Sequence, residues 1–513
     1  MRRVVLIPVV VLALAGSLRG QSTGELKQKA IRAFEAGEFA VAEQTFQRLC
    51  EREPTGENFS YEATAELRNG KPQPAAVHFE RAIHLGYGPP SVHYNLGLAY
   101  LKLEKAREGI KELKVAAAQQ PQNAEVEYSL AVALLEAGDA GAAVPHLRNS
   151  AAHSPRDPAI RANLVRAEFD SGDNAEALQA IDQALAALPN DAALTVVLTR
   201  LCLAHRQANK ALELAASAER LLPNEPEVKL LLARADLAAE KPTEAVDVLQ
   251  RVPASAGAAG EWPNLMAQAL AQTGKLKEAR AQVAAAMAAD PRSTAYQLTS
   301  AWIDQLDLQY ARSIETLERT RELAPKEAAV PYHMAIGYYY TQRYAQAAEQ
   351  CEAAVRLAPN YDPAYFLMGI AKIETHNLEG AQAALRRAVA LKRTSALYHF
   401  ELGETLLKAE RIPDSAREFS RTLELNPKFA GAYYWRARAL KQQGDAQGAI
   451  RDLEAAVAID PGLSAAYYDL GRLYKETRQP EKASAAMAKS EELRAKMRDE
   501  QEEILRMTLL APQ

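Results

Sequence analysis

One pattern recurs along almost the whole of this 513-residue chain: two amphipathic helix signatures, a turn between them, and a proline that stops the second. Residues 430–463, AGAYYWRARALKQQGDAQGAIRDLEAAVAIDPGL, spell it plainly. With the closing proline set at position 32, units begin at Thr23, Gly56, Pro90, Ala124, Pro158, Ala192, Pro226, Gly260, Thr294, Ala328, Asp362, Ala396, Ala430 and Ser464. The first step is 33 residues and the next twelve are 34 each. A period of this length means stacked supersecondary units, so the chain is read as one array rather than several unrelated domains. Composition agrees. Alanine is abundant and aromatics make up only 6% of residues, which suits close helix packing.

Each position of the unit has a physical role. Position 20, where the second helix crosses the first, is small in all fourteen units, from Ala42 and Ala75 to Ser313, Ser415 and Ala483. A tight crossing requires this. Position 8 is Gly or Ala in twelve units, with Val165 and Thr199 the exceptions. Large residues such as Phe46, Phe79, Leu113, Leu385 and Phe419 occupy position 24 and are expected to fill the space left by the small ones. Position 15 is Gly in six units (Gly37, Gly70, Gly138, Gly172, Gly274, Gly444), where a left-handed residue ends the first helix. Prolines such as Pro54, Pro121, Pro359 and Pro461 end the second.

Small residues at positions 8, 20 and 27 with proline at 32 resemble the tetratricopeptide repeat (TPR), over about residues 23–497. The resemblance implies an all-α fold, a right-handed superhelical α-solenoid of helix-turn-helix units whose first helices line a concave groove. It also implies a protein or peptide partner held in that groove. Pro253–Gly260 weakens the end of the seventh unit and is a candidate soft joint, the alternative being an ordinary degenerate loop. Residues 491–513 read as a charged capping helix and tail that would cover the last repeat.

The first twenty residues read differently. Arg2 and Arg3 precede an apolar run from Val4 to Ala15, and small residues follow. This is the pattern of a secretory signal peptide cleaved after Ala15, Ser17 or Gly20, leaving residues 21–22 as a short mature N-terminus. Its apolar run is shorter than the ~20 residues a membrane span requires. Ser17 stands where a lipoprotein would need its modified Cys. The expectation is an exported bacterial protein of the periplasm or cell envelope, with no integral span once the signal is removed. Cys50, Cys202 and Cys351 are odd in number and widely spaced, which argues for buried thiols rather than a disulfide framework.

Signals of catalysis are poor. His78 and His84 are six apart on one helix, not the four of a zinc-protease motif, and no phosphate-binding loop or nucleophile elbow occurs. No catalytic residues, metal or cofactor are expected, and a net charge of −4 gives no reason to invoke nucleic acid.

What remains is a stripe on the first helix at positions 2, 5, 9 and 12. Position 9 supplies Arg166, Arg200 and Arg234 in consecutive units, then Arg438 and Arg472. Guanidinium groups suit a carboxylate-bearing segment. The competing reading has them paired with neighbours such as Glu168 or Glu227. Position 5 supplies Tyr332, Phe366, Phe400, Tyr434 and Tyr468, with Tyr94 and Tyr128 nearer the start. These rings are either binding anchors or packing residues. Asn95 and Asn163 lack the Lys, Asn and Arg neighbours of the TPR carboxylate clamp, so binding of a chaperone tail is not expected. The function expected is a non-enzymatic scaffold binding a peptide segment, acidic in the sharper version, in the concave groove. The alternatives are an accessory of an envelope secretion, pilus or polysaccharide-export machine that binds through its convex face, and an enzyme with a groove site.

Overall fold

The computed structural model describes residues 22–253, 255 and 257–493. The expected signal peptide, and the capping segment beyond residue 493, lie outside the described residues. Among the described residues there are twenty-eight α-helices and no strand. They form fourteen pairs, numbered here as repeats 1 to 14. First helices open at Thr23, Gly56, Pro90 and so on to Ser464, except that those of repeats 8 and 10 open at Glu261 and Ala329. The chain divides into two compact units between Asn224 and Glu225, with repeats 1–6 in the first and repeats 7–14 in the second.

The first helix of each repeat packs on its own second helix, and most second helices pack on the first helix of the next repeat. The close approach depends on position 8. A Cβ added at Gly97 would lie 2.7 Å from Leu113, at Gly369 2.5 Å from Leu385, and at Gly403 2.7 Å from Phe419. Each partner is the position-24 residue of the same repeat, so the missing side chain is the socket for the large one. Leu113, Leu385 and Phe419 are accordingly fully buried. Burial of such residues on folding contributes roughly 1.5–3 kcal/mol each.

The turn inside each pair shows what the sequence only half revealed. Position 15 has positive φ at all six glycines, and also at Glu104, Arg206, Glu240, Leu308, Gln342, His376, Glu410 and Arg478. Every repeat therefore ends its first helix through a left-handed residue, whatever side chain stands there. The reason lies in the backbone: the N–H of the following residue bonds back five residues, as in Glu38 to Ala33 O at 2.8 Å and Gln309 to Asp304 O at 2.8 Å. That closure satisfies a carbonyl left over at the helix end and requires the left-handed conformation.

The seventh repeat departs from the rest. Its second helix, Pro242–Gln250, has nine residues where the others have 13 or 14. The connection that follows is tied at several points. Trp262 Nε1 donates to Leu249 O at 2.9 Å, Tyr296 Oη donates to Ala259 O at 2.9 Å, and Val252 is buried. Pro253–Gly260 lies inside the second compact unit, away from the division at residues 224–225. Cys50, Cys202 and Cys351 are free and buried. No helix among the described residues is long and apolar enough to cross a membrane.

Candidate functional site

The five position-9 arginines all lie on exposed surface of their first helices. In the first unit, Arg166 meets Asp170 one turn along the same helix at 3.4 Å, and Arg200 projects from Ala192–Ala204. In the second unit, Arg234 meets Glu261 at 2.8 Å. Glu168, a partner suggested by the sequence, is buried and bound instead by Arg148 at 2.7 Å. Exposed pairs of this kind contribute about 0–1 kcal/mol, so a ligand carboxylate can displace them.

Arg438 is set differently. Its guanidinium lies 4.6 Å from the centroid of Trp435 and 5.9 Å from that of Tyr434. Stacking over aromatic faces fixes the plane of the fork, and Arg438 also donates to the Tyr434 hydroxyl. Tyr434 donates its hydroxyl to Asp469 of the next repeat, and burial raises the pKa of the phenol. Tyr468 is 39% exposed and Arg472 is fully on the surface. Among the described residues neither Arg438 nor Arg472 forms an ion pair.

The other position-5 aromatics require a correction. Tyr332, Phe366 and Phe400 are buried, so they are core side chains and not groove anchors. Phe366 stacks on Tyr398 at 4.7 Å, Phe400 lies 4.6 Å from Phe429, and Tyr332 meets Tyr361 edge-on at 5.1 Å. Each contact runs to residues of the following repeat or the loop leading into it. Position 5 in these repeats therefore points into the seam between successive repeats, and position 9 is exposed where it is Arg but buried at Trp302, Ile336 and Ile370. Tyr94 and Tyr128 are half-buried and use their hydroxyls the same way. Tyr94 donates to Glu125 at 3.0 Å, and Asn163 donates to Tyr128 at 2.8 Å.

Two residues of this surface escaped the sequence reading. Glu401 and Glu404 lie one turn apart on the first helix of repeat 12, Ala396–Lys408. Glu404 accepts from Trp435 and feels the charge of Arg438. Burial, followed by the charge of Glu404, pushes the Glu401 carboxyl up to about 8. A pair of perturbed acids, one of which feels a stacked guanidinium, is a candidate recognition patch. The sequence signal was there, Glu at positions 6 and 9 of one unit before Arg at position 9 of the next, but only packing shows that Trp435 joins them.

Pairs of short helices stacked in this way define a helical-repeat solenoid, a class that presents extended surface for binding. Family models described as tetratricopeptide repeat match residues 62–124 and 400–464, and residues 134–201, 203–268 and 440–496, together more than half of the chain. The chain belongs to the tetratricopeptide repeat family, and it is a protein–protein interaction scaffold. Solved structures that resemble it include the anaphase-promoting-complex hetero-tetramer Cut9–Hcn1, at 13% identity, TM-score 0.43 and coverage of 96% of both chains. Another is MamA, at 21% identity and TM-score 0.31, covering 32% of this chain and 95% of that one. A third is YrrB, described as a TPR protein with an unusual peptide-binding site, at 19% identity and TM-score 0.33, covering 36% of this chain and 95% of that one. No curated protein sequence matches significantly.

Proposed function

We propose that this protein is an exported bacterial scaffold that captures a carboxylate-bearing segment of a partner on the first-helix face of its last three repeats. The observation that carries this reading is Arg438, exposed and stacked on Trp435, with Tyr468 and Arg472 also exposed on the first helix of the following repeat. A rigid guanidinium binds a carboxylate bidentately, and preformed helices add little ordering cost on the scaffold side. Arg166 and Arg200 offer a weaker version of the same chemistry in the first unit. Export to the periplasm or envelope rests on the N-terminal signature of Arg2, Arg3 and the apolar run to Ala15.

The test is affinity capture from an envelope extract with three proteins: wild type, Arg166→Glu/Arg200→Glu, and Arg438→Glu/Arg472→Glu. Circular dichroism first checks that all three are equally helical. The expected result is a partner retained by wild type and by the first variant and lost from the second. Retention of the same partners by all three sinks the proposal. Export is tested separately by fusing residues 1–20 to a reporter that is active only outside the cytoplasm. A silent reporter overturns that part alone.

A second reading has its own observation. Leu323, Leu357 and Ile459, at one equivalent position of three second helices, are exposed. Docking of an assembly through the outer, second-helix face would use these residues, and it would survive both charge reversals.

A further inference from the structure

We propose that Glu62, Glu66 and His78 form a binding site for one divalent transition-metal ion, zinc by the chemistry of the donors. The first helix of repeat 2, Gly56–Arg68, places Glu62 and Glu66 one turn apart on one face. The second helix, Pro72–His84, brings His78 against them. His78 Nδ1 lies 2.9 Å from Glu66 Oε2 and 4.0 Å from Glu62 Oε1. One donor atom from each residue lies within 4.8 Å of the others. Zinc bonds of about 2.0–2.2 Å put tetrahedral donors roughly 3.4 Å apart, so small side-chain rotations close the site. The imidazole is already oriented, because its ring stacks on Phe59 at 5.9 Å.

The charge arrangement is what separates this cluster from ordinary packing. Three other repeats join their two helices through a His–Glu pair: His93 with Glu112 at 2.7 Å, His146 with Glu127 at 2.6 Å, and His399 with Glu418 at 2.6 Å. In each of these, one imidazole answers one carboxylate. In repeat 2 two carboxylates, with side chains 6% and 7% exposed, converge on one imidazole. Removing a second carboxylate from water without a matching cation is costly. A dication answers both. Arg81 is the nearby competing cation, and it is engaged over the Phe59 ring at 4.5 Å.

The donors also select the metal. Imidazole and carboxylates suit zinc, and the Cys50 thiol, which hydrogen-bonds to the Glu62 carboxylate, stands next to the site as a further soft donor. Magnesium and calcium prefer all-oxygen shells and keep their water. On binding, Nδ1 of His78 gives up its hydrogen bond to Glu66 and directs its lone pair at the metal. Any proton on Nδ1 leaves to solvent or is carried on Nε2.

The experiment uses the full mature chain, stripped with a chelator and dialysed against zinc chloride. Bound metal is measured by atomic emission and thermal unfolding is followed in parallel. The expected result is one zinc per chain and a rise in Tm with zinc, and no such rise with magnesium chloride at the same concentration. Glu62→Gln and His78→Ala are expected to weaken zinc binding by at least roughly 10-fold. His84→Ala, on the exposed end of the same helix, is expected to leave it intact. Glu62→Gln keeps the side-chain shape, so its zinc-free helicity and Tm check that the fold survives. The proposal is overturned if wild type binds no zinc, if Glu62→Gln binds as wild type does, if His84→Ala loses the ion equally, or if magnesium gives the same shift.

Discussion

At the scale of single residues, two features carry stability consequences that no sequence pattern announces. Leu308 holds positive φ and is 55% exposed, so its side chain contributes little packing while its backbone sits in a disfavoured region. Replacing it by glycine removes a penalty of about 1 kcal/mol. Leu308→Gly should therefore raise the urea midpoint, and Gly138→Ala at the equivalent turn should lower it by a similar amount. Ser415 is the second case. It is fully buried at the helix crossing, and its hydroxyl has no hydrogen-bond partner among the described residues. Such an orphan costs about 1–3 kcal/mol, so Ser415→Ala is expected to stabilise the protein, measured as a higher Tm. A lower Tm would mean that the hydroxyl has a partner in solution.

At the scale of the helix pair, the contact between Gly403 and Phe419 is the critical one. A methyl group at Gly403 would come within 2.7 Å of the Phe419 ring, which is fully buried and has nowhere to retreat. Gly403→Ala is expected to destabilise by roughly 1–3 kcal/mol. Pairing it with Phe419→Leu should recover part of that loss, and a double-mutant cycle from urea unfolding would show the coupling. If the two changes simply add, the helices are not held by this socket. Elements also explain the aromatic result. Positions 5 and 9 share one face of the first helix, so the side chain decides: apolar residues such as Phe366 and Ile370 are buried there, while a long arginine carries its guanidinium out to solvent. Phe366 and Arg438 therefore meet opposite fates on the same kind of helix.

At the scale of the whole molecule, the repeats carry the proposed binding face, and its charge depends on pH. Glu401, surrounded by Glu404, Lys408 and Glu374, has its carboxyl raised to about 8 by burial and by the Glu404 charge. Below that pH the carboxyl is protonated and adds no negative charge to the first helix of repeat 12. As pH rises through about 8 it ionises and repels an acidic segment. Affinity for the captured partner should therefore fall between pH 7 and 9, and Glu401→Gln should flatten the fall, as measured by titration calorimetry at constant ionic strength. The same shift has a sign for stability. The folded pKa exceeds the ordinary carboxylate value of 4.5, so this contribution is fully present at low pH and is lost as pH rises through 8.

The sequence alone determined the architecture. Thirteen steps of 33 or 34 residues, small residues at positions 8 and 20 and prolines at 32 leave only stacked helix pairs as a fold, because local periodicity and steric size act within one unit and repeat themselves. The free, buried cysteines follow from the same register. Tertiary structure decided whatever depends on the neighbouring repeat or on the partner helix. It turned Tyr332, Phe366 and Phe400 inward, paired Arg166 and Arg234 with Asp170 and Glu261, and placed Trp435 under Arg438. It also imposed a left-handed residue on eight turns that lack glycine, and brought His78 to Glu62 and Glu66 across two helices. A period records which residues share a position. Which of them share a space, and with what charge, is set by the packing of one element on another.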